Sequence, residues 1–175
     1  HEQFGAHARG YVQRQAAQGP IAVLDLGCGD GSQVAELLNQ VPVASYTGFD
    51  LSATALELCR LQLGSCNFRV TLKEGKMEEL IENEKSCFDL VYSSFAIHHL
   101  SDESKRSLIR SVYNRLHQGG RFVLIDVYRQ PGVSLASYCD SYLSNVNANW
   151  ETLGKEEKKS IEDHIRKYDY PAYRE

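Results

Sequence analysis

The sequence predicts an α/β fold of the Rossmann-like, doubly wound type, in which a mostly parallel sheet carries helices on both faces. Two observations predict it. Short apolar runs rich in β-branched residues alternate with longer amphipathic segments, as in strands joined by crossover helices. The first run, from Ile21, also breaks into the stretch Gly27-Cys28-Gly29-Asp30-Gly31 before a helical segment begins. Because right-handed crossovers bring the carboxyl ends of parallel strands to one edge, we expect a ligand site at that edge.

Five strands are predicted, with helical segments between them. The strands begin at Ile21 and then cover residues 44–49, 68–72, 88–93 and 121–128. Apolar residues recur at helical spacing in residues 32–39, 52–64, around residue 80 and in 101–119. Ser52 and Ser101 are suited to be N-caps, and we expect the pair Gly119-Gly120 to end the last of these helices.

Breaks in the pattern divide the chain into three regions. Residues 1–20 predict an amino-terminal lid helix that ends at Gly19-Pro20, and residues 21–130 form the ligand-binding core. After Gln130-Pro131-Gly132 the strands give way to two helical stripes, so residues 131–175 are expected to form a helical cap or substrate segment.

Composition excludes several classes of protein. The 175 residues are 42% hydrophobic and 24% charged, which is typical of one globular domain. A net charge of −4 argues against a nucleic-acid surface and favours a small-molecule substrate. The five cysteines form no C-x-x-C pair and no zinc-ligand spacing, so we expect reduced thiols, a cytoplasmic location and no metal. No apolar run approaches the ~18 residues of a membrane span, and the sequence leaves the oligomeric state open.

The glycine-rich stretch predicts a cradle for a cationic nucleoside. Its glycines allow the backbone to approach a ligand closely, but Asp25 and Asp30 would repel a pyrophosphate and attract an ammonium or sulfonium group. Asp50 ends the second strand nineteen residues beyond Gly31 (50 minus 31), where one carboxylate can accept hydrogen bonds from two ribose hydroxyls.

These motifs resemble the class I S-adenosylmethionine-dependent methyltransferases. The resemblance rests on Val-Leu-Asp-Leu-Gly-Cys-Gly-Asp-Gly at residues 23–31, on Asp50 and on Phe-Asp-Leu-Val-Tyr-Ser-Ser-Phe-Ala-Ile-His-His-Leu at residues 88–100. It covers residues 21–128 and implies S-adenosylmethionine as cofactor and S-adenosylhomocysteine as product. Members of this family end with two further strands, the last antiparallel, and the sequence after residue 128 contains no candidates, so we expect those carboxyl-terminal strands to be missing.

The resemblance also implies roles for individual residues. Asp25 would lie near the methionine ammonium, Asp50 would bind the ribose, and Leu51 would lie on one adenine face. The full set of expected cofactor contacts is Asp25, Gly27, Cys28, Gly29, Gly31, Asp50, Leu51, Lys76, Met77, Ser93 and Ser94. Cys28 is expected to be a small neighbour of the cofactor rather than a reactive thiolate, because two aspartates flank it.

His98 is the candidate catalytic base on the acceptor side. It falls where carbon-methylating domains of polyketide assembly lines, which are similar to this chain, carry a histidine in a His-Ala-Thr motif, whereas this chain has His-His-Leu. A hydrogen-bonded histidine that only shapes the loop is the alternative, and His99 is expected to point toward the protein. Four tyrosines are candidates for contacting the substrate or for packing alone, namely Tyr11, Tyr128, Tyr138 and Tyr142.

The sequence therefore predicts a methyltransferase that acts on an oxygen, nitrogen or carbon atom of a small molecule. The alternatives are a cofactor-binding pseudoenzyme or regulator on the same fold, and a tRNA or protein methyltransferase. A nicotinamide oxidoreductase is disfavoured, because the glycine spacing departs from G-x-G-x-x-G and no Tyr-x-x-x-Lys pair occurs.

Overall fold

The computed structural model describes residues 10, 12–14, 16–17, 19–39, 41–150 and 153–173. Its main sheet has five parallel strands in the order β3-β2-β1-β4-β5, which confirms the predicted fold class. The strands are β1 (Ile21–Leu26), β2 (Val43–Asp50), β3 (Arg69–Glu74), β4 (Phe88–Ser94) and β5 (Leu116–Ile125). The helices between them are α1 (Ser32–Leu38), α2 (Ala53–Gln62), α3 (Met77–Asn83) and α4 (Asp102–Arg115).

Alternating side chains of the central strands bury two separate cores. On one face, Val23 and Tyr46 belong to a cluster with residues of α1 and α2, which also includes Val12. On the other face, Leu24 and Phe49 belong to a cluster with residues of α3 and α4. Strand β1 lies in the middle of the sheet, and five of its six residues are buried, which is why it is apolar throughout except at Asp25.

The helix starts follow the predicted caps, but the border between α4 and β5 does not. The Ser52 and Ser101 hydroxyls accept hydrogen bonds from backbone N–H groups three residues on, both at 3.2 Å. Helix α4 ends at Arg115, before the glycine pair expected to end it, and the residues up to Gly120 already belong to β5. The register jumps from Phe88 opposite Leu116 to Leu90 opposite Arg121, so the extra residues form an irregularity in the strand rather than a last helical turn.

The strand also ends sooner than predicted, and the tail forms its own small unit. Strand β5 ends at Ile125, and the next two-residue strand is β6 (Tyr128–Arg129). It pairs in parallel with β7 (Ala172–Tyr173) in a separate sheet. Between them, α5 (Leu135–Asn149) and α6 (Lys155–Tyr168) pack together through Cys139, Leu143 and Ile165. The Tyr170 N–H donates a hydrogen bond to the His98 carbonyl at 2.7 Å, which joins this tail to the turn after β4. Among the described residues, no helix combines the length and hydropathy needed to cross a bilayer.

The order of the strands places a cleft at the carboxyl ends of β1, β2 and β4. Strand β1 lies between β2 and β4. The chain runs from β1 to β2 and β3 on one side of β1, and then returns to β4 and β5 on the other side. This is the switch point at which ligands bind to doubly wound sheets. The turn after β1, with Gly27 and Gly29, lies at that point.

Substituting the two turn glycines separates backbone strain from steric conflict. Both have left-handed backbones, with φ of 76° at Gly27 and 53° at Gly29. A Cβ on Gly27 would lie 2.3 Å from the Cβ of Ala96, whereas a Cβ on Gly29 meets nothing within 4 Å. Both alanine variants should lose about 1–3 kcal/mol of unfolding free energy through backbone strain. Gly27→Ala should lose a further ~1–3 kcal/mol through the clash, as measured by urea denaturation; equal losses in the two variants would contradict this packing.

Candidate functional site

A cavity of about 690 Å³ opens at the carboxyl ends of β1, β2 and β4. That volume suits a nucleoside-sized ligand. All but two of the eleven residues expected to contact the cofactor line it, namely Asp25, Gly27, Cys28, Gly29, Asp50, Leu51, Lys76, Met77 and Ser94. Most of these residues come from strand ends and from the turns after them, so the parallel sheet brings them together.

Asp50 fixes the glycine turn to the end of β2. Its Oδ2 accepts a hydrogen bond from the Gly29 N–H at 2.8 Å, and its Oδ1 accepts one from the Ser52 N–H at 2.9 Å. The Gly27 and Cys28 N–H groups both donate to the Phe49 carbonyl, at 2.8 and 3.0 Å. An ionised carboxylate has about four acceptor positions, so Asp50 can still accept two hydrogen bonds from a ligand.

Asp25 is a buried carboxyl group at the base of the cavity. Only 2% of it is exposed, and its Oδ2 accepts a hydrogen bond from the Tyr46 hydroxyl at 2.9 Å. Burial raises the pKa of Asp25 from its ordinary value of 3.8 to about 7, although the Tyr46 hydrogen bond opposes this. A cation that enters the cavity would replace the missing solvation of this carboxylate.

The two remaining expected contacts lie behind the cavity wall. Ser93 is fully buried, and its hydroxyl donates to the Leu26 carbonyl at 2.7 Å. Gly31 is the N-cap of α1, and a Cβ at this position would lie 2.8 Å from the sulfur of Cys59. Both residues hold the strand and the helix beside the cavity, and the structure does not bring them to its surface.

The cavity also has walls that sequence reasoning missed. Leu51 is 68% exposed and Phe95 is 40% exposed at its rim, so apolar surface is available for a flat ring. Phe95 has a left-handed backbone, with φ of 51°, and such strain in a non-glycine residue is a signal of function that only coordinates reveal. Asp30, expected to attract a cationic group, also lines the cavity. The lining residues missed from the sequence are Gln33, Phe49, Gly75, Glu78, Tyr92, Phe95, Ala96, His99, Leu100, His164 and Tyr168.

The two adjacent histidines point in different directions, and His98 has the hydrogen-bonded arrangement of the loop-shaping alternative. The ring of His98 does not line the cavity; its Nδ1 lies 2.5 Å from Asp126 Oδ1, and its Nε2 lies 3.7 Å from Asp169 Oδ1. His99 lines the cavity, so the expectation that it points toward the protein is wrong. The cause is the single 3₁₀ turn of residues 97–99, in which successive side chains diverge, together with Asp126, which also accepts the His98 N–H at 2.9 Å.

The ring of His99 contacts the tail of the chain. Its Nδ1 lies 3.2 Å from the Tyr168 carbonyl and 3.4 Å from Asp169 Oδ1. The carboxylate of Asp169 raises the pKa of His99, and partial burial of the ring opposes this effect. His99 therefore joins the cavity to α6.

The four candidate tyrosines do not line this cavity where they are described. Tyr11 lies outside the described residues, and Tyr128 is 44% exposed on β6. Tyr138 and Tyr142 stack with ring centroids 6.1 Å apart and line a separate depression of about 330 Å³ on α5. The tail reaches the main cavity through Tyr168 and His164 instead.

The buried carboxyl of Asp25 should make stability depend on pH. Because its pKa is raised, the folded state binds the proton more tightly than the unfolded state, so the unfolding free energy contributed by this group falls as pH rises from about 4 to about 7. Between pH 5 and pH 8 this contribution should fall by about 2–3 kcal/mol in the wild-type chain, and Asp25→Asn should lack it and keep only the fall due to other groups such as His99, whose pKa is also raised. Urea denaturation at both pH values measures it, and the same pH dependence in both proteins would show that Asp25 is not the group responsible.

His98 should contribute to stability more than an exposed histidine in a similar pair. His98→Ala removes the ring partner of the buried Asp126 carboxylate, and we expect a loss of about 1–3 kcal/mol. His117→Ala is the matched control, since His117 lies 3.0 Å from Asp89 but is half exposed, and it should lose less than about 1 kcal/mol. Thermal or urea unfolding distinguishes them; a stable His98→Ala protein would refute the structural role.

Comparison with known proteins gives one family. The family model described as a methyltransferase domain matches residues 23–120, more than half of the chain. A trans-aconitate 2-methyltransferase of Deinococcus radiodurans is 35% identical over 99 residues, which are 56% of this chain and 34% of that protein. A demethylmenaquinone methyltransferase of Leptospira interrogans is 33% identical over 130 residues, which are 73% of this chain and 51% of that protein.

The fold agrees with this match. The crystal structure of the plantazolicin methyltransferase BpumL with a pentazolic desmethylPZN analogue and SAH superposes with a TM-score of 0.65 at 18% identity. The superposition covers 98% of this chain and 59% of that one. The chain spans about half or less of the length of the curated relatives it matches. This chain thus belongs to the methyltransferase domain family, as its resemblance to the class I S-adenosylmethionine-dependent methyltransferases predicted.

Proposed function

We propose that the chain binds S-adenosylmethionine in the 690 Å³ cavity and transfers its methyl group to a small-molecule acceptor. The observation that carries the proposal is the pair of strand-end carboxylates, Asp25 and Asp50, which face one cavity across a glycine turn. Family membership supports it, as does the SAH bound to the neighbour of similar fold.

The residues present fit this cofactor. Asp50 keeps two acceptor positions for ribose hydroxyls, and Asp25 offers a carboxylate to the methionine ammonium. Leu51 and Met77 supply apolar surface for adenine. The Lys76 ammonium pairs with Glu79 at 2.9 Å, so hydrogen bonds to the adenine would come from the backbone at Met77 rather than from the Lys76 side chain. The buried Ser94 hydroxyl has no hydrogen-bond partner of good geometry among the described residues, so it can bond to a ligand.

The work of the protein in this reaction is positioning. When bound, the cofactor supplies an electrophilic methyl group on a sulfonium, and holding an acceptor in line with it can contribute about 7–11 kcal/mol. Phe95, His99 and Tyr168 line the cavity and would exclude water from it. Because the ring of His98 does not line the cavity, we propose that His98 positions the turn of residues 97–99 rather than acting as the base.

The rest of the chain has a place in this proposal. Residues 21–130 bind the cofactor, and residues 131–175 form the cap, because His164 and Tyr168 reach the cavity from α6. Residues 1–20 are proposed as the lid. The net charge of −4 favours a small acceptor over RNA, and the cytoplasmic location expected from the cysteines is part of the same proposal.

Calorimetric titration with S-adenosylhomocysteine, with NADH as the control ligand, tests the cofactor. We expect one-to-one binding of the first and none of the second. Incubation with S-adenosylmethionine and a panel of small hydroxyl, amine and carboxylate acceptors then tests turnover through the S-adenosylhomocysteine released. Binding without turnover of any acceptor would favour a pseudoenzyme. Methylation of RNA or protein but of no small molecule would show that the acceptor is a macromolecule. Binding of neither ligand would overturn the proposal.

Asp50→Asn should weaken S-adenosylhomocysteine binding at least tenfold, about 1.4 kcal/mol, because a charge-assisted hydrogen bond to the ribose is lost. Asp140→Asn is the matched control, since this exposed α5 carboxylate pairs with Arg166 at 2.9 Å away from the cavity, and its affinity should match the wild type. Calorimetry measures both after circular dichroism has established that each variant is folded. Unchanged affinity in Asp50→Asn would remove Asp50 from the binding site.

A further inference from the structure

We propose that His98, His99 and Asp169 bind a divalent transition-metal ion of the zinc class at the wall of the cavity. The three residues offer one ligand atom each, and these atoms all lie within 4.8 Å of one another. Asp169 Oδ1 is 3.4 Å from His99 Nδ1 and 3.7 Å from His98 Nε2. In a tetrahedral site with bonds of about 2.0–2.1 Å the ligand atoms are ~3.3 Å apart. Both separations from Asp169 are close to that value, and the two histidine nitrogens, which lie within 4.8 Å of each other, would have to approach by up to about 1.5 Å.

The hydrogen bonding of His98 prepares its Nε2 for a metal. Asp126 Oδ1 lies 2.5 Å from Nδ1 and accepts a hydrogen bond from it. In the neutral ring the proton is then on Nδ1, and the lone pair of Nε2 faces Asp169. Asp126 is itself oriented by the N–H groups of His98 and Val127, at 2.9 and 2.8 Å. A carboxylate behind a histidine is the common outer support of a zinc-binding imidazole, because it fixes the tautomer and the orientation of the ring.

Asp169 gives a second and independent indication of a cation. Its side chain is 9% exposed, and its buried Oδ1 makes no hydrogen bond of good geometry among the described residues. A buried carboxylate oxygen without a hydrogen bond is costly unless a positive charge is close. The two imidazole rings that face this oxygen are ligands for the same ion.

The composition of the site selects the kind of ion and leaves room for a ligand. Two imidazole nitrogens and one carboxylate oxygen suit Zn²⁺ and its neighbours rather than Mg²⁺, which prefers oxygen ligands. Three protein ligands leave one tetrahedral position open, as in catalytic rather than structural zinc sites. Because His99 lines the cavity, an acceptor that binds there can supply the fourth ligand through an oxygen atom.

The role of the ion rests on the proposed function, whereas its binding does not. A hydroxyl oxygen held on the ion would lose its proton to solvent more readily, since the metal lowers the pKa of a bound O–H group. The favoured acceptor would then be an alcohol, phenol or hydroxy acid. This provides the deprotonation that His98 alone, turned away from the cavity, is not placed to perform.

Titration of the metal-free chain with ZnCl₂, followed by calorimetry, tests the site, and Co²⁺ substitution reports the geometry through its visible absorption. We expect one Zn²⁺ per chain, a tetrahedral Co²⁺ spectrum and much weaker binding of Mg²⁺. His99→Gln and Asp169→Asn should each weaken Zn²⁺ binding at least 100-fold, and Asp126→Asn should weaken it 10–100-fold through the orientation of His98. His117→Gln, which changes an exposed histidine paired with Asp89, is the matched control and should leave the affinity unchanged.

Circular dichroism and S-adenosylhomocysteine titration on the same samples keep the outcomes separate. Loss of Zn²⁺ binding in Asp169→Asn, whose carboxylate does not line the cavity, with S-adenosylhomocysteine binding retained supports the site. Absence of stoichiometric Zn²⁺ binding, or binding that His99→Gln and Asp169→Asn leave intact, overturns it, whatever the cofactor titration gives. Zn²⁺ binding with no S-adenosylhomocysteine binding would support the metal site and overturn the proposed function instead.

Discussion

The hydrogen bond from the Gly29 N–H to Asp50 Oδ2 is the contact on which the cavity depends. It joins the turn after β1 to the end of β2, while the other oxygen of the same carboxylate begins the next helical segment at Ser52. With the Phe49 carbonyl accepting the Gly27 and Cys28 N–H groups, four backbone N–H groups bind one strand end. The floor of the cavity is therefore held by hydrogen bonds from the backbone of the glycine turn to one strand end, and its shape depends on the position of the Asp50 carboxylate.

The electrostatics of the floor follow from the same arrangement. Asp25 lies in the middle of the sheet, where every neighbouring position of β1 must be apolar to fill the two cores. A carboxyl group there loses its solvent and receives one hydrogen bond, from Tyr46, so its pKa rises to about 7. The free-energy cost of the buried charge is removed when the carboxyl group binds a proton or when a positive group lies beside it. The floor is therefore a place where a positive group would be stabilised, and Leu51 and Phe95 offer exposed apolar surface at the rim.

Features that depend on residues close together in the sequence could be predicted, whereas features that depend on residues far apart in the sequence could not. Strand ends and turns are local, so the glycine stretch, Asp50 and Leu51 could be predicted, and the sheet followed from alternating strands and helices. Ser93 shows the first limit, because a one-residue difference along a strand turns a side chain from the cavity to the core. His98 and His99 show the second, because Asp126 and Asp169, which determine their orientations, lie 28 and about 70 positions away.

The two sides of the cavity are consequently formed by contacts of different range along the chain. The floor is formed by β1, β2 and the turn after β3 within fewer than sixty residues, and it needs no contribution from the tail. The opposite wall requires α6 to lie against the turn of residues 97–99. The contacts that hold it there include the hydrogen bond from the Tyr170 N–H to the His98 carbonyl and the contact of His99 Nδ1 with the Tyr168 carbonyl. Changes in the tail should therefore alter this wall more than the floor. A fold of this kind can keep one side of a cavity constant while the other side varies.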